Sequence, residues 1–172
     1  MAKFILCIFS ILMTIGCSSF HYVKTGDPQV PVEQIVAAGD SEDQELTPGL
    51  QKLLQNRISS PQAFGSEKAI ESIIAVGKLA PNAAKQELIT LLKDEDEEVR
   101  FHAVEVLSNV RESEVVRALV SSTKDDDELV ADAASRSLSK LTLIPIHKES
   151  GENQKDWEEW WQFNAKYFVT DK

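Results

Sequence analysis

Residues in the central part of the chain recur at a fixed separation of 31 positions. Within each copy, the apolar positions follow the 3.6-residue period of a helix. The separation relates Leu88 to Leu119, Val99 to Val130, Ala103 to Ala134 and, over three copies, Val76 to Leu107 and Leu138. One insertion or deletion would have destroyed this register. The repeat therefore predicts an all-α fold of stacked helical hairpins, because each hairpin buries its apolar side against the next.

The helical pattern extends over residues 46–141 and accommodates about three hairpins. Thr47-Pro48 is typical of a helix start, since a hydroxyl can cap the helix and proline fits its first turn. The first hairpin is irregular, because Leu54 and Leu92 are 38 residues apart instead of 31. We therefore expect a longer loop between its two helices.

Two stretches carry a family resemblance, LLKDEDEEVRFHAVEVLSNV and ALVSSTKDDDELVADAASRSLSKL. They resemble HEAT-like repeats of the short, phycobilisome-lyase type, which have an acid at the inter-helix turn, then Val-Arg, then an alanine-rich helix. Asp96, Val99-Arg100 and Ala103 fit that pattern, whereas Val130-Ala131 keeps the valine and lacks the arginine. The resemblance implies a short α-solenoid that acts as a non-catalytic binding surface for another protein.

The acidic runs DEDEE and DDDE each precede the second helix of a hairpin. Acids there can accept hydrogen bonds from free backbone N–H groups and interact favourably with the helix dipole. A calcium loop is the alternative, because four acids from Asp94 to Glu105 match positions 1, 3, 5 and 12 of an EF-hand. However, Val99 stands where that loop needs glycine, and Arg136 stands where the second copy needs glutamate. We therefore predict helix caps and no metal site.

No motif for catalysis or nucleotide binding occurs in the sequence. His102 has no neighbouring histidine or available cysteine with which to bind zinc, so we interpret it as structural. The formal charge of −10 excludes nucleic acid as a partner, since phosphates require clustered Lys and Arg. We predict no catalytic residue and no cofactor.

The N-terminus is typical of a secretory signal over residues 1–16, with Lys3, an apolar run from Phe4 to Ile15, and a small residue before Cys17. Thr14-Ile15-Gly16-Cys17 resembles a bacterial lipobox, which implies cleavage before Cys17 and lipidation of that residue. Ser18 is similar to the second residue of lipoproteins sent to the outer membrane, which implies its periplasmic side. An uncleaved anchor is the alternative interpretation of the same residues.

Residues 17–45 are polar and contain several glycines and prolines. We predict a flexible tether with a typical end-to-end distance of about 30 Å. At most a short helix is expected around Val32–Ala38.

In HEAT-like arrays the second helices commonly line one face. Phe101 and Glu105 lie opposite the predicted core of their helix, and the repeat gives equivalent positions on its neighbours. The predicted partner-binding face comprises Ile70, Ile74, Phe101, Glu105, Asp132 and Arg136. Its apolar end is either a groove for a partner or is covered by the tether or by the loop around Phe64.

Residues 142–172 are expected to form a linker and a capping helix rich in tryptophan. A terminal repeat needs an element that closes its apolar end. The predicted capping aromatics are Trp157, Trp160, Trp161, Tyr167 and Phe168. A ligand site built from aromatic rings is the alternative.

Together these features predict a lipid-anchored, non-catalytic scaffold for protein–protein interaction at the bacterial cell envelope. Two alternatives remain at this point. The chain could be an accessory or lyase-like module of an envelope enzyme system, or a calcium-responsive envelope protein.

Overall fold

The computed structural model describes residues 20–143 and 153–168. Within them the secondary structure is helical and contains no strand, so the predicted all-α class is confirmed. The predicted signal peptide (1–16), Cys17 and residues 144–152 of the predicted linker lie outside the described residues. The chain divides into two compact units, one ending at Leu79 and the other beginning at Ala80.

The first unit contains four α-helices and one short 3₁₀ helix among its described residues. These are α1 (His21–Thr25), α2 (Val32–Asp40), the 3₁₀ helix Gln44–Leu46, α3 (Thr47–Ser59) and α4 (Ser66–Leu79). Helices α3 and α4 form the first predicted hairpin. Helix α1 packs against α3 and α2 packs against α4, so that a further, shorter hairpin is stacked on the predicted one.

The prediction of a flexible tether over residues 17–45 is therefore wrong for residues 20–45. Val23, Ile35 and Ala38 are fully buried, and the short helix expected near residues 32–38 forms the first seven residues of α2. Small residues make this packing possible. A Cβ added to Gly39 would lie 2.8 Å from Ala75 Cα, so α2 approaches α4 more closely than a larger residue would allow.

Helix α1 is held against α3 in a similar way. A Cβ at Gly49 would lie 1.8 Å from the carbonyl oxygen of Val23. The α1 helix ends at Gly26 in the left-handed conformation, with a φ of 63°. The carbonyl of Gly26 accepts a hydrogen bond of 3.0 Å from Asn56 Nδ2, and that of Thr25 accepts one of 2.8 Å from Lys52 Nζ. These contacts attach the N-terminal hairpin to the unit.

The prediction of a longer loop in the first hairpin is wrong. Residues 60–65 join α3 to α4, only one residue more than the five (92–96) that separate the helices Lys85–Leu91 and Glu97–Leu107, because α3 continues for five residues beyond Leu54. Arg57 is only 2 % exposed, and its Nη1 donates to the carbonyls of Pro61 at 3.0 Å and Phe64 at 3.2 Å. A buried guanidinium requires such partners, because desolvating it without them is costly. The Phe64 ring is buried in the same loop. The loop is therefore an ordered part of the unit.

The second unit contains the two regular hairpins and the C-terminal helix. Its elements are α5 (Lys85–Leu91), α6 (Glu97–Leu107), α7 (Ser113–Ser122), α8 (Glu128–Thr142), α9 (Asn153–Asn164) and the 3₁₀ helix Ala165–Phe168. Helix α6 packs against α8, α5 packs against α7, and α9 packs against α7. The stacking of first helix on first and second on second is that of a solenoid.

The 31-residue register corresponds to the buried core. Leu88 and Leu119 are both fully buried, as are Ala103 and Ala134. All three members of the longer series, Val76, Leu107 and Leu138, are also fully buried. The periodic sequence signal therefore reports the positions that each hairpin buries.

We predict that Gly49→Ala lowers the free energy of unfolding by about 2 kcal/mol, because the new methyl group would overlap the carbonyl of Val23. Gly65→Ala is the matched control, since nothing lies within 4 Å of a Cβ at Gly65. That variant should be unchanged or more stable by up to about 1 kcal/mol. Urea unfolding measures both. Equal stabilities would contradict the packing of α1 on α3.

Candidate interaction surfaces

The acids at the hairpin turns cap the second helices, as predicted. The Asp96 carboxylate accepts hydrogen bonds from the N–H groups of Glu98 at 2.9 Å and Val99 at 3.4 Å. Asp127, 31 residues later, accepts from Leu129 at 3.0 Å and Val130 at 3.1 Å. Both carboxylates therefore satisfy N–H groups that the helix leaves without intrahelical partners.

The residues two positions earlier tighten the same turns. Asp94 Oδ1 accepts from the N–H of Asp96 at 3.0 Å, and Asp125 Oδ1 accepts from that of Asp127 at 3.0 Å. The described residues contain no group of three or more His, Cys, Asp or Glu arranged to hold a metal ion. Two of the acids in the EF-hand match, Asp94 and Asp96, are therefore engaged with the backbone of their own turn.

Arg100 joins the turns of two successive hairpins. Its Nε and Nη2 donate to the two carboxylate oxygens of Asp125, each at 2.9 Å, and its Nη1 donates to the carbonyl of Asp94 at 2.9 Å. The two side chains are only 15 % and 10 % exposed, respectively. Bidentate geometry away from solvent makes this a stronger contact than an exposed ion pair. It fixes the stacking of α7–α8 on α5–α6.

The ion pair also controls the pKa of Asp125. Burial by itself would raise that pKa, but hydrogen bonds from Arg100 and from the N–H of Asp127 outweigh burial and hold it below its usual range. The carboxyl group therefore binds its proton less readily in the folded chain than in the unfolded chain. Its contribution to stability is present above the unfolded pKa and is lost as pH falls through the folded pKa.

Four of the residues in the predicted partner-binding face lie in the second unit. Glu105 on α6 and Asp132 and Arg136 on α8 are exposed, and Phe101 on α6 is half-buried. Since α6 packs against α8, the unit brings these four residues onto two neighbouring helices. The Phe101 ring meets His102 edge-to-face, with centroids 5.5 Å apart. This part of the face is an apolar position beside three exposed charges.

The other two residues of that face, Ile70 and Ile74, lie on α4 in the first unit and are half-buried. Helix α2 and the turn before it contact the side of α4 that carries Lys68, Ala75 and Lys78. Lys68 Nζ donates to Pro28 O at 2.8 Å, and Lys78 pairs with Asp40 at 2.7 Å. At about 100° per residue, Ile70 and Ile74 lie about 140° and 100° away from Ala75 around the helix. The segment predicted as a tether therefore packs along a different side of α4.

Sequence reasoning missed a groove between α5 and α7, the first helices of the two regular hairpins. Its volume is about 670 Å³, and Ile89, Leu92 and Ala118 provide its apolar lining. The polar lining obeys the repeat, with Gln86 and Arg117, Lys93 and Lys124, and Asp94 and Asp125 each 31 positions apart. The 31-residue register of its lining is the sequence signal of this groove, which lies on the first helices of the hairpins and not on the second.

The C-terminal aromatics are placed in different environments. Trp157 is buried at 6 % exposure, and Trp160, Trp161 and Phe168 are half-buried. Their rings are in contact: the centroids of Trp157 and Trp160 are 5.7 Å apart, and Phe168 lies 5.8 Å from Trp160 and 5.9 Å from Trp161. Helix α9 packs against α7, and Lys124 pairs with Glu158. These contacts are those of an element that closes one side of the hairpin.

Tyr167 differs from the prediction, because it is 73 % exposed. Placing Tyr167 with the other capping aromatics assumed an α-helix throughout, but residues Ala165–Phe168 form a 3₁₀ helix. The side chain of Asn164 donates to the carbonyl of Trp160 at 2.8 Å where the two helix types meet. A 3₁₀ helix has 3.0 residues per turn, so an α-helical wheel does not give the side on which residues 165–168 lie.

Comparison with known proteins supports the repeat assignment. The family model for HEAT repeats matches residues 64–139, which include both regular hairpins as far as Ser139. Residues 64–139 are therefore similar to HEAT repeats. No curated protein is significantly similar to the chain. Among residues 20–143 and 153–168, no helix combines the length and the apolar character needed to span a membrane.

We predict that Arg100→Met lowers the free energy of unfolding by about 2 kcal/mol at neutral pH, since it leaves the Asp125 carboxylate without its charged partner. The loss should shrink below about pH 4, where Asp125 becomes protonated in the variant and then in the wild type. Arg117→Met is the control, because Arg117 is exposed on α7, and should cost less than about 0.5 kcal/mol. Urea unfolding at pH 3 and pH 7 measures these differences. A loss for Arg100→Met that is constant with pH would contradict the ion pair.

Proposed function

We propose that this protein is a lipid-anchored, non-catalytic scaffold that binds another protein at the bacterial cell envelope. The observation that carries the proposal is the match of residues 64–139 to HEAT repeats, which commonly mediate protein–protein interaction and are generally not catalytic. Stacked hairpins provide extended surfaces without needing a reactive centre, which suits such a role.

The anchor is inferred from the sequence. A basic residue, an apolar run from Phe4 to Ile15 and the motif Thr14-Ile15-Gly16-Cys17 together favour cleavage before Cys17 and acylation of that residue. More than one acyl chain on a protein gives stable attachment to a bilayer. Ser18 favours the periplasmic side of the outer membrane as the destination.

The surface proposed for the partner is the face of α6 and α8 in the second unit. A half-buried aromatic ring at Phe101 lies on the same two helices as the charges of Glu105, Asp132 and Arg136. Aromatic anchors surrounded by polar residues are typical of protein-binding surfaces. The partner that fits is a protein with an apolar side chain flanked by charges of complementary sign.

The partner surface can be tested after crosslinking of the lipidated protein in cells has identified a binding protein. We predict that Phe101→Asp then weakens its affinity at least about tenfold, which corresponds to about 1.4 kcal/mol. Ile89→Asp is the matched control, because Ile89 is also apolar and half-buried but lines the groove between α5 and α7. The affinity of the Ile89→Asp variant for the binding protein should be unchanged. The measurement is titration calorimetry on variants whose circular dichroism matches the wild type.

The reverse result, with Ile89→Asp weakening the complex and Phe101→Asp leaving it intact, would locate the partner in the groove. That outcome would contradict the proposed face while leaving a scaffold function in place. A binding protein unaffected by either change would contradict both surfaces.

We predict separately that Cys17→Ala abolishes acylation and releases the chain from the membrane fraction. Cells fed an alkyne-labelled fatty acid report the acyl group, and fractionation reports the location. Cys7→Ala is the matched control, since Cys7 lies within the predicted signal peptide, and it should retain both the label and the membrane location. Label that persists in Cys17→Ala would refute the proposed anchor.

A further inference from the structure

The first helix of the described residues begins four residues after Cys17, at His21. This helix, α1, is firmly attached to the first unit. Val23 is fully buried, its carbonyl lies where a Cβ at Gly49 would be, and Lys52 and Asn56 donate to the carbonyls at the end of α1. Whatever fixes the position of α1 therefore also fixes the position of the first unit.

The covalent link between Cys17 and this unit is short. Three peptide units join Cys17 to Phe20, and they span at most about 11 Å when fully extended. Acyl chains on Cys17 would lie in the hydrocarbon core, which leaves Cys17 itself at the level of the headgroups. The polar headgroup layer adds roughly 5–8 Å on each side of a bilayer. An anchored chain therefore has α1 at the membrane surface.

The exposed side of α1 has the chemistry of a membrane interface. Tyr22 is 42 % exposed, and its ring lies edge-to-face with that of His21 at a centroid distance of 5.9 Å. Tyrosine is enriched at bilayer interfaces because its ring is apolar and its hydroxyl is polar. The Lys24 side chain is 51 % exposed and lies 4.0 Å from the exposed Glu45 carboxylate, a contact weak enough for the ammonium group to reach a headgroup phosphate instead. Residues 21–25 contain no acid. The strong negative charge of the chain is thus absent from this helix.

We propose that α1 docks onto the bilayer interface through Tyr22 and Lys24 and holds the first unit against the membrane. This inference rests on the proposed acylation of Cys17 and adds a contact surface to it. The surface formed by Tyr22 and Lys24 contacts the headgroup layer of the same membrane that holds the acyl chains. The unit is then fixed at the surface by a short link and does not move freely at the end of a long tether.

The test is fluorescence quenching on the full-length, lipidated protein. Tyr22→Cys introduces a single reactive thiol, because Cys7 is removed with the signal and Cys17 carries the lipid. An environment-sensitive dye is attached there, and the protein is reconstituted in phosphatidylcholine vesicles that contain a headgroup spin-labelled lipid. Ile58→Cys is the matched control, since Ile58 is 36 % exposed and lies nine residues beyond Gly49, about 13 Å further along α3.

The dye at position 22 should be quenched at least threefold more strongly than the dye at position 58. Lys24→Cys provides a second labelled site on α1 and should behave like Tyr22→Cys. Equal quenching at positions 22, 24 and 58 in protein whose mass includes the acyl chains overturns the docking of α1 and leaves the anchor intact. Protein whose mass lacks them overturns the anchor and the docking together.

Discussion

The structure depends on the packing of second helix against second helix at a constant register. A single hairpin has too little apolar surface to be stable alone, and it must bury the same positions against each neighbour. Leu107 and Leu138 are fully buried for this reason, 31 residues apart. The aspartates at the turns then fix where each second helix begins, and Arg100 fixes how two successive turns meet. The capping hydrogen bonds and the ion pair are concentrated at the turns, whereas the outer faces of the helices remain available to bind a partner.

Most of the repeat could be predicted from the sequence, because equivalent buried positions of successive hairpins are apolar and recur at a constant separation. The three-copy series of Val76, Leu107 and Leu138 gave the register, and the recurring acids gave the starts of the second helices. The N-terminal hairpin, α1 and α2, does not show this periodic pattern. Helix α1 has five residues and buries Val23 alone, and α2 buries Ile35, Ala38 and Gly39. Two helices this short, with four buried residues between them, cannot be distinguished from a polar linker by apolar periodicity.

The candidate surfaces were predicted only in part. The wheel positions of Phe101, Glu105, Asp132 and Arg136 follow from the register, so the second unit brings them onto two adjoining helices. Tyr167 was expected among the capping aromatics but is exposed, and the change from α to 3₁₀ winding at Ala165 leaves little trace in composition. Close approaches between backbones could not be predicted either, since the sequence alone does not show that the carbonyl of Val23 lies against Gly49.

The ion pair between Arg100 and Asp125 runs from one hairpin to the following one, and this affects how such an array could be lengthened. The Arg100 guanidinium reaches forward to Asp125 in the following turn, and the last hairpin has Ala131 at the position equivalent to Arg100. A duplicate of α5–α6 inserted before α7 would bring its own arginine and offer its own aspartate, so both new junctions would be clamped. A duplicate of α7–α8 added at the end would be joined by apolar contacts alone. Gene duplication, or a designer, would extend this array from its interior.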